Sequence, residues 1–131
     1  MATKDVVIPK GMETLYEQWH FAPAVRDGDR IYASGQIGFD AQGKVLEDPE
    51  AQFVQAFENV KAVLETAGVG FEDVVEMTTF HVGLQKHVAA FGKVKDRYLK
   101  KPYPAWTAIG ITELALPGAL VEIRVIARAR A

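Results

Sequence analysis

Hydrophobic and polar positions change their period several times along the chain, and each change predicts an element. A short apolar run at Asp5 to Ile8, stopped by Pro9-Lys10-Gly11, predicts an edge strand. Met12 to Pro23 keeps no period and is rich in large side chains, among them Tyr16, Trp19, His20 and Phe21. It predicts an irregular loop that packs on something. Arg26-Asp27-Gly28-Asp29 is a turn signal, with Ala24-Val25 and Arg30 to Gln36 as the arms of a hairpin. Asp40 to Gly43 predicts the next turn.

From Asp48 the period becomes helical. Asp48 can cap the free N–H groups, Pro49 suits the first turn, and Glu50 favours the positive end of the dipole. Phe53, Phe57, Val60, Leu64 and Ala67 form one apolar stripe, and Gly68 predicts the stop. Phe71 to Val74 reads as a connection. Glu76 to Leu84 predicts a strand, with Thr78, Phe80 and Val82 on one face and Met77, Thr79 and His81 on the other. Lys86 to Leu99 predicts a second helix, ended by Lys101-Pro102-Tyr103-Pro104. Ala105 to Ile111 predicts a strand. After a turn at Leu116-Pro117-Gly118, Leu120 to Ala129 alternates as the longest strand. Two helices with one apolar stripe each can cover one face of a sheet. No segment remains for the other face, so self-association is expected.

Composition narrows the chemistry. The 131 residues predict one domain spanning 1–131, and zero cysteines exclude disulfides and thiolate metal sites. A net charge of −2 offers no global field for nucleic acid, so a nucleic-acid partner is not expected. No apolar run approaches the ~18 residues of a membrane span. The first ten residues lack the apolar core of a signal peptide, so the expected location is cytoplasmic. Phosphate-loop, dinucleotide and HExxH motifs are missing. His20, His81 and His87 have no ligand spacing, so neither a metal nor another cofactor is expected. Arg124, Arg128 and Arg130 share one face of the last strand and read as a solvated edge.

Glu122 is the most informative residue. It interrupts an apolar strand, Ala119-Leu120-Val121-Glu122-Ile123. Either it pairs with Arg124 or Arg128 or faces water, or it stands against apolar surface with a raised pKa and works as an acid or base.

Three motifs point further. Ser34-Gly35-Gln36 follows the hairpin, Pro104-Ala105 precedes the penultimate strand, and Leu116-Pro117-Gly118-Ala119-Leu120-Val121-Glu122-Ile123 lies near the end. In this order and spacing they resemble the RidA/YjgF family, the reactive intermediate deaminases or endoribonuclease L-PSP-like proteins. The resemblance covers nearly the whole chain. It implies an α+β fold like that of the small trimeric chorismate mutases: a six-stranded mixed sheet with two helices on one face. Three such sheets form a barrel, with ligand clefts at the interfaces of a homotrimer. Its deaminase branch hydrolyses enamines or imines to a keto acid and ammonia. A glutamate in the last strand handles water and protons there, and an arginine after Pro-Ala forks onto the substrate carboxylate.

This sequence matches that pattern at Glu122, Ser34 and Gly35 and departs from it at Trp106, which stands in the arginine's place. Phe21 falls where the deaminases carry a tyrosine, and Gly92 where they carry an asparagine. Trp106 is either core packing at the subunit contact or an aromatic wall for a neutral or aromatic ligand. His20 is either a packed residue or a polar group of the cleft. The expected function is a RidA-like hydrolase of enamine, imine or related C–N compounds with divergent specificity. Glu122 would be its acid/base, and Ser34, Gly35, Trp106, Phe21 and His20 would hold a small-molecule ligand. The alternative is a non-catalytic homotrimer that binds a small metabolite in the same cleft. RNA cleavage is a third reading, disfavoured by the missing basic surface.

Overall fold

The computed structural model describes residues 5–130. The reading of the first ten residues as free of a signal-peptide core falls partly on residues 1–4, outside the described residues. Among the described residues no helix is long and apolar enough to cross a membrane.

The chain runs β1 (Asp5–Val7), α1 (Glu13–Glu17), β2 (Ala24–Asp27), β3 (Arg30–Ala33), β4 (Gln36–Ile37) and α2 (Pro49–Thr66). A 3-10 turn (Phe71–Asp73) leads into β5 (Val74–Val82), followed by α3 (Leu84–Tyr98), β6 (Ala105–Ile111) and β7 (Val121–Arg128). The strands form one mixed sheet in the order β1-β2-β3-β7-β5-β6, antiparallel except for the parallel pair β5–β6. The main path thus has the six expected strands. The short β4 adds a seventh, paired beside β3 on β7. A third helix, the five-residue α1, occupies the segment expected to be irregular. Its single turn leaves no buried residue and shows no period to read.

The two long helices form as their patterns require. The Asp48 carboxylate accepts a hydrogen bond from the Ala51 N–H at 2.9 Å, and Pro49 opens the first turn of α2. Phe53, Phe57, Val60 and Leu64 are fully buried or nearly so against the sheet. On β7, Val121, Ile123, Val125 and Ala127 face the same layer. Phe57 lies at the centre, its ring 4.9 Å from Tyr98 and 5.5 Å from Phe91. On the opposite face of the sheet Tyr32 and Ile109 are exposed, and Phe80 and Ile126 are half-buried. Among the described residues no long helix or further strand covers that face, as the count of elements anticipated.

Two buried amides of α2 hold the loops beside the sheet. The Gln52 side chain donates to the carbonyls of Leu46 and Gly118, at 2.9 and 3.1 Å, and accepts from the Leu120 N–H. Asn59 donates to the carbonyls of Ile37 and Phe39, at 2.8 and 3.0 Å. The helix approaches so closely at Gly38 that a Cβ there would stand 2.2 Å from the Gln52 carbonyl oxygen. Loop carbonyls that would otherwise be buried without partners are thereby satisfied, and the segments before α2 and before β7 are set against each other.

Candidate active site

β7 presents Glu122 on the uncovered face, opposite Phe80 of β5 and Ile37 of β4. Its carboxyl reaches the floor of a cavity of about 400 Å³. The walls come from three segments: Met12, Trp19 and Phe21 before the hairpin, Phe39 after β4, and Leu116 before β7. Asn59 and Gln52 anchor the last two of these segments. Glu122 is half-buried, and none of the ion pairs among the described residues involves it. Burial pushes its pKa up, and the neighbouring charge of Arg124 opposes the shift only in part. Asp40 also lines the cavity, but its carboxylate accepts from the N–H groups of Gln42 and Lys44 and so closes a turn.

Gly35 borders the same carboxyl. A Cβ added there would lie 2.5 Å from Cγ and Cδ of Glu122 and 2.6 Å from its Oε2. The glycine is needed for close approach, since any larger residue would occupy the carboxyl's place.

The structure brings Glu122, Gly35 and Phe21 together and sets the other expected site residues elsewhere. Ser34 does not line the cavity. Its hydroxyl donates to the Ala22 carbonyl at 2.7 Å and ties the loop carrying Phe21 to the end of β3. His20 is exposed, with left-handed backbone at φ 61°, between Trp19 and Phe21, which both reach the cavity. It shapes the loop and leaves the wall to its neighbours. Trp106 is opposite Met77, a residue of the helix-covered face, and so lies across the sheet from Glu122 of the same chain. Sequence reasoning missed Trp19 and Phe39 as walls, because the first sat in a segment without period and the second beside a turn.

Trp106 belongs to a polar thread under α3. Its indole N–H donates to the Thr79 hydroxyl at 2.9 Å, and Thr79 is 2.7 Å from Nε2 of the fully buried His81. The Thr79 hydroxyl thus bridges the indole N–H and Nε2, while Nδ1 of His81 is buried without a hydrogen-bond partner among the described residues. Burial, helped by the nearby His87, lowers the His81 pKa to about 4. The unfolded chain then binds more protons than the folded one between about pH 6.5 and 4. Stability is therefore full above pH 6.5 and falls as the pH drops toward 4, by about 3 kcal/mol at ~1.36 kcal/mol per pH unit. Urea midpoints followed from pH 7.5 to 4 are expected to show this slope, and His81→Gln should flatten it. An unchanged slope in the variant would assign the acid sensitivity to other groups.

Comparison with known proteins places the chain. A family model described as endoribonuclease L-PSP matches residues 13–129. The chain belongs to the RidA/YjgF (endoribonuclease L-PSP) family. Within that family it is 37% identical over 129 residues to the RutC family protein YjgH of Escherichia coli, covering 98% of this chain and 97% of that one. It is 36% identical over 110 residues to a 2-iminobutanoate/2-iminopropanoate deaminase of Dermatophagoides farinae, covering 81% of this chain and 83% of the relative. The solved structure of protein YJGH superposes with a TM-score of 0.91 at 36% identity, covering 99% of both chains. The α+β architecture is thus that of the RidA/YjgF structures.

Proposed function

We propose that the protein is a RidA-like hydrolase of imines, enamines or related C–N compounds, with Glu122 as its general acid and base. The observation that carries this reading is the Glu122 carboxyl itself: half-buried, outside any ion pair of the described residues, raised in pKa, and seated beside Gly35 in an aromatic-walled cavity. A carboxyl whose pKa is raised by burial holds its proton to a higher pH than a free glutamate and can give and take it in a reaction.

In the proposed cycle the Glu122 carboxylate takes a proton from water as the water oxygen bonds to the imine carbon. The C=N π pair moves to nitrogen, which takes up a proton from solvent and gives a carbinolamine. The protonated Glu122 then returns its proton to nitrogen. The C–N bond breaks, ammonia leaves, and the hydroxyl proton departs to solvent as the C=O bond forms. Backbone groups at Gly35 would hold the water, and Phe21 and Trp19 would wall the substrate. The specificity diverges from that of the carboxylate-clamping deaminases because Trp106 stands where their arginine would be. The working unit is proposed to be a homotrimer, built on the uncovered sheet face and completing its clefts between copies.

The test is ammonia release. Imines generated by an amino-acid oxidase from a panel of acidic, neutral and aromatic substrates should lose ammonia faster with the protein than without it. Flat rates across the panel, with small molecules still bound in the cavity, would replace this reading by a non-catalytic binding trimer. Light scattering should give three times the chain mass, and a monomeric mass would refute the assembly.

A further inference from the structure

The segments that wall the Glu122 cavity carry charge of one sign. Residues 11–21, 35–43 and 112–122 contain five acids, Glu13, Glu17, Asp40, Glu113 and Glu122. They contain neither lysine nor arginine, in a chain that has 15 of the two. Their one histidine, His20, is exposed and lines no part of the cavity. Glu122 and Asp40 line the cavity itself. The hydrogen bonds to Asp40 from the N–H groups of Gln42 and Lys44 both fall on Oδ1, which leaves Oδ2 without a partner among the described residues. Neither carboxyl takes part in an ion pair of the described residues. The cation that acts on Glu122 is Arg124, which is not part of the lining, and its guanidinium stands 5.8 Å from the Phe80 ring.

Two carboxyls in a mostly apolar cavity select a ligand by its charge. A ligand carboxylate would give up its water and meet two like charges, with no cation of the lining to receive it. A neutral ligand gains packing alone. An organic cation gains from both carboxylates and from the ring faces of Trp19, Phe21 and Phe39, which attract positive charge. The volume of about 400 Å³ suits a small ligand that buries its body among these rings.

We infer that the Glu122 cavity takes a small organic cation with an apolar body and no carboxylate. Resting on the hydrolase reading, this names the substrate as the protonated imine that oxidation of a primary amine yields. Such an iminium brings with it the proton that a neutral imine must draw from solvent. The water oxygen bonds to the iminium carbon as the Glu122 carboxylate takes a water proton, and the C=N π pair moves to nitrogen, giving a neutral carbinolamine. Glu122 then returns its proton to nitrogen, the C–N bond breaks and ammonia leaves. The hydroxyl proton goes to solvent as C=O forms, so iminium and water become an aldehyde, ammonia and one proton.

Three probes of one shape test the charge preference: choline, 3,3-dimethylbutan-1-ol and 3,3-dimethylbutanoate. The full chain, in whatever assembly it forms, would be labelled with ¹⁵N at mildly alkaline pH, where the carboxyls are ionised. The Trp19 indole N–H signal, assigned by its loss in Trp19→Phe, should shift saturably with choline. The neutral alcohol should bind at least ~tenfold more weakly, and the anion more weakly still. Glu122→Gln and Asp40→Asn should each narrow the gap between choline and the alcohol, asparagine keeping an oxygen for the turn. Equal affinities, a preference for the anion, no saturable shift with any probe, or a gap unchanged in both variants would each overturn the inference. A cation reaching the cavity from another copy would appear as the first or second of these. Ammonia release then reads the substrate. The imine made from 2-phenylethylamine by an amine oxidase should be accelerated at least ~tenfold more than the carboxylate-bearing imine made from phenylalanine by an amino-acid oxidase. Equal acceleration, or more for the carboxylate, would overturn the substrate named here. No acceleration of either, with the choline preference intact, would overturn the hydrolase reading and uphold the cation site.

Discussion

Glu122→Gln is expected to lower the rate of imine hydrolysis by roughly 10²- to 10⁴-fold, the usual contribution of a general acid–base group. Glutamine keeps the shape of the side chain and can still hydrogen-bond, but it cannot take a proton from water. The fold should survive, since Glu122 is in none of the ion pairs among the described residues. Unfolding midpoints of variant and parent would check this. The wild-type pH profile supplies a second readout. Because burial raises the Glu122 pKa, kcat/KM should fall on the acid side at a pH above the ordinary glutamate range, and that limb should vanish in Glu122→Gln. A Glu122→Gln enzyme with the parent's rate would remove Glu122 from the reaction. Gly35→Ala gives an independent check. Its Cβ would stand 2.5 Å from two Glu122 carbons, so the carboxyl must move. Activity should fall steeply while all chemical groups remain, because acid–base catalysis depends on position before pKa.

Phe57→Ala is expected to cost about 3–5 kcal/mol of stability. Phe57 is fully buried, and its ring touches the stacked and tilted rings of Phe91, Tyr98 and Phe71. Those three come from α3 and from the turn before β5, so the cavity left behind would open the junction of both long helices with the sheet. The neighbours cannot collapse freely, because Phe91 is also held edge-on by His81 and Tyr98 donates to Glu58 at 2.8 Å. Urea unfolding with an unchanged m-value and a lowered midpoint would measure the loss. A loss below about 1 kcal/mol would mean the ring cluster relaxes far more than its packing suggests. The uncovered face should be unaffected locally, so any oligomer surviving in the variant would show that assembly does not depend on the helical layer.

The two long helices and the strands around them were legible because their signals are local. Asp48-Pro49 and the stripe from Phe53 to Leu64 mark α2, and the alternation from Val121 to Ala127 marks β7 and puts Glu122 on its outer face. The order and faces of these elements also announced the uncovered side of the sheet. Short elements carried no such signal. One turn of helix at α1 and two residues at β4 are shorter than any period, and β4 is defined by its pairing with β7.

The site divides along the same line. Sequence by itself singled out the candidate groups: a lone carboxyl in an apolar strand, a glycine beside the hairpin, and a tryptophan after Pro104-Ala105. Only the tertiary structure decided what each touches. Gly35 meets Glu122 through contact between β7 and the end of the hairpin, segments nearly ninety residues apart. The hydroxyl of Ser34, a residue expected at the ligand, donates to the Ala22 carbonyl and ties down the loop that carries Phe21. Strand register sends Trp106 and Glu122 of one chain to opposite faces of the sheet, and a partner for Trp106 comes from α3 as Lys95. Period and composition report which face of its own element a side chain occupies. They do not report which element arrives over that face, because that depends on pairing order and helix packing across the whole chain.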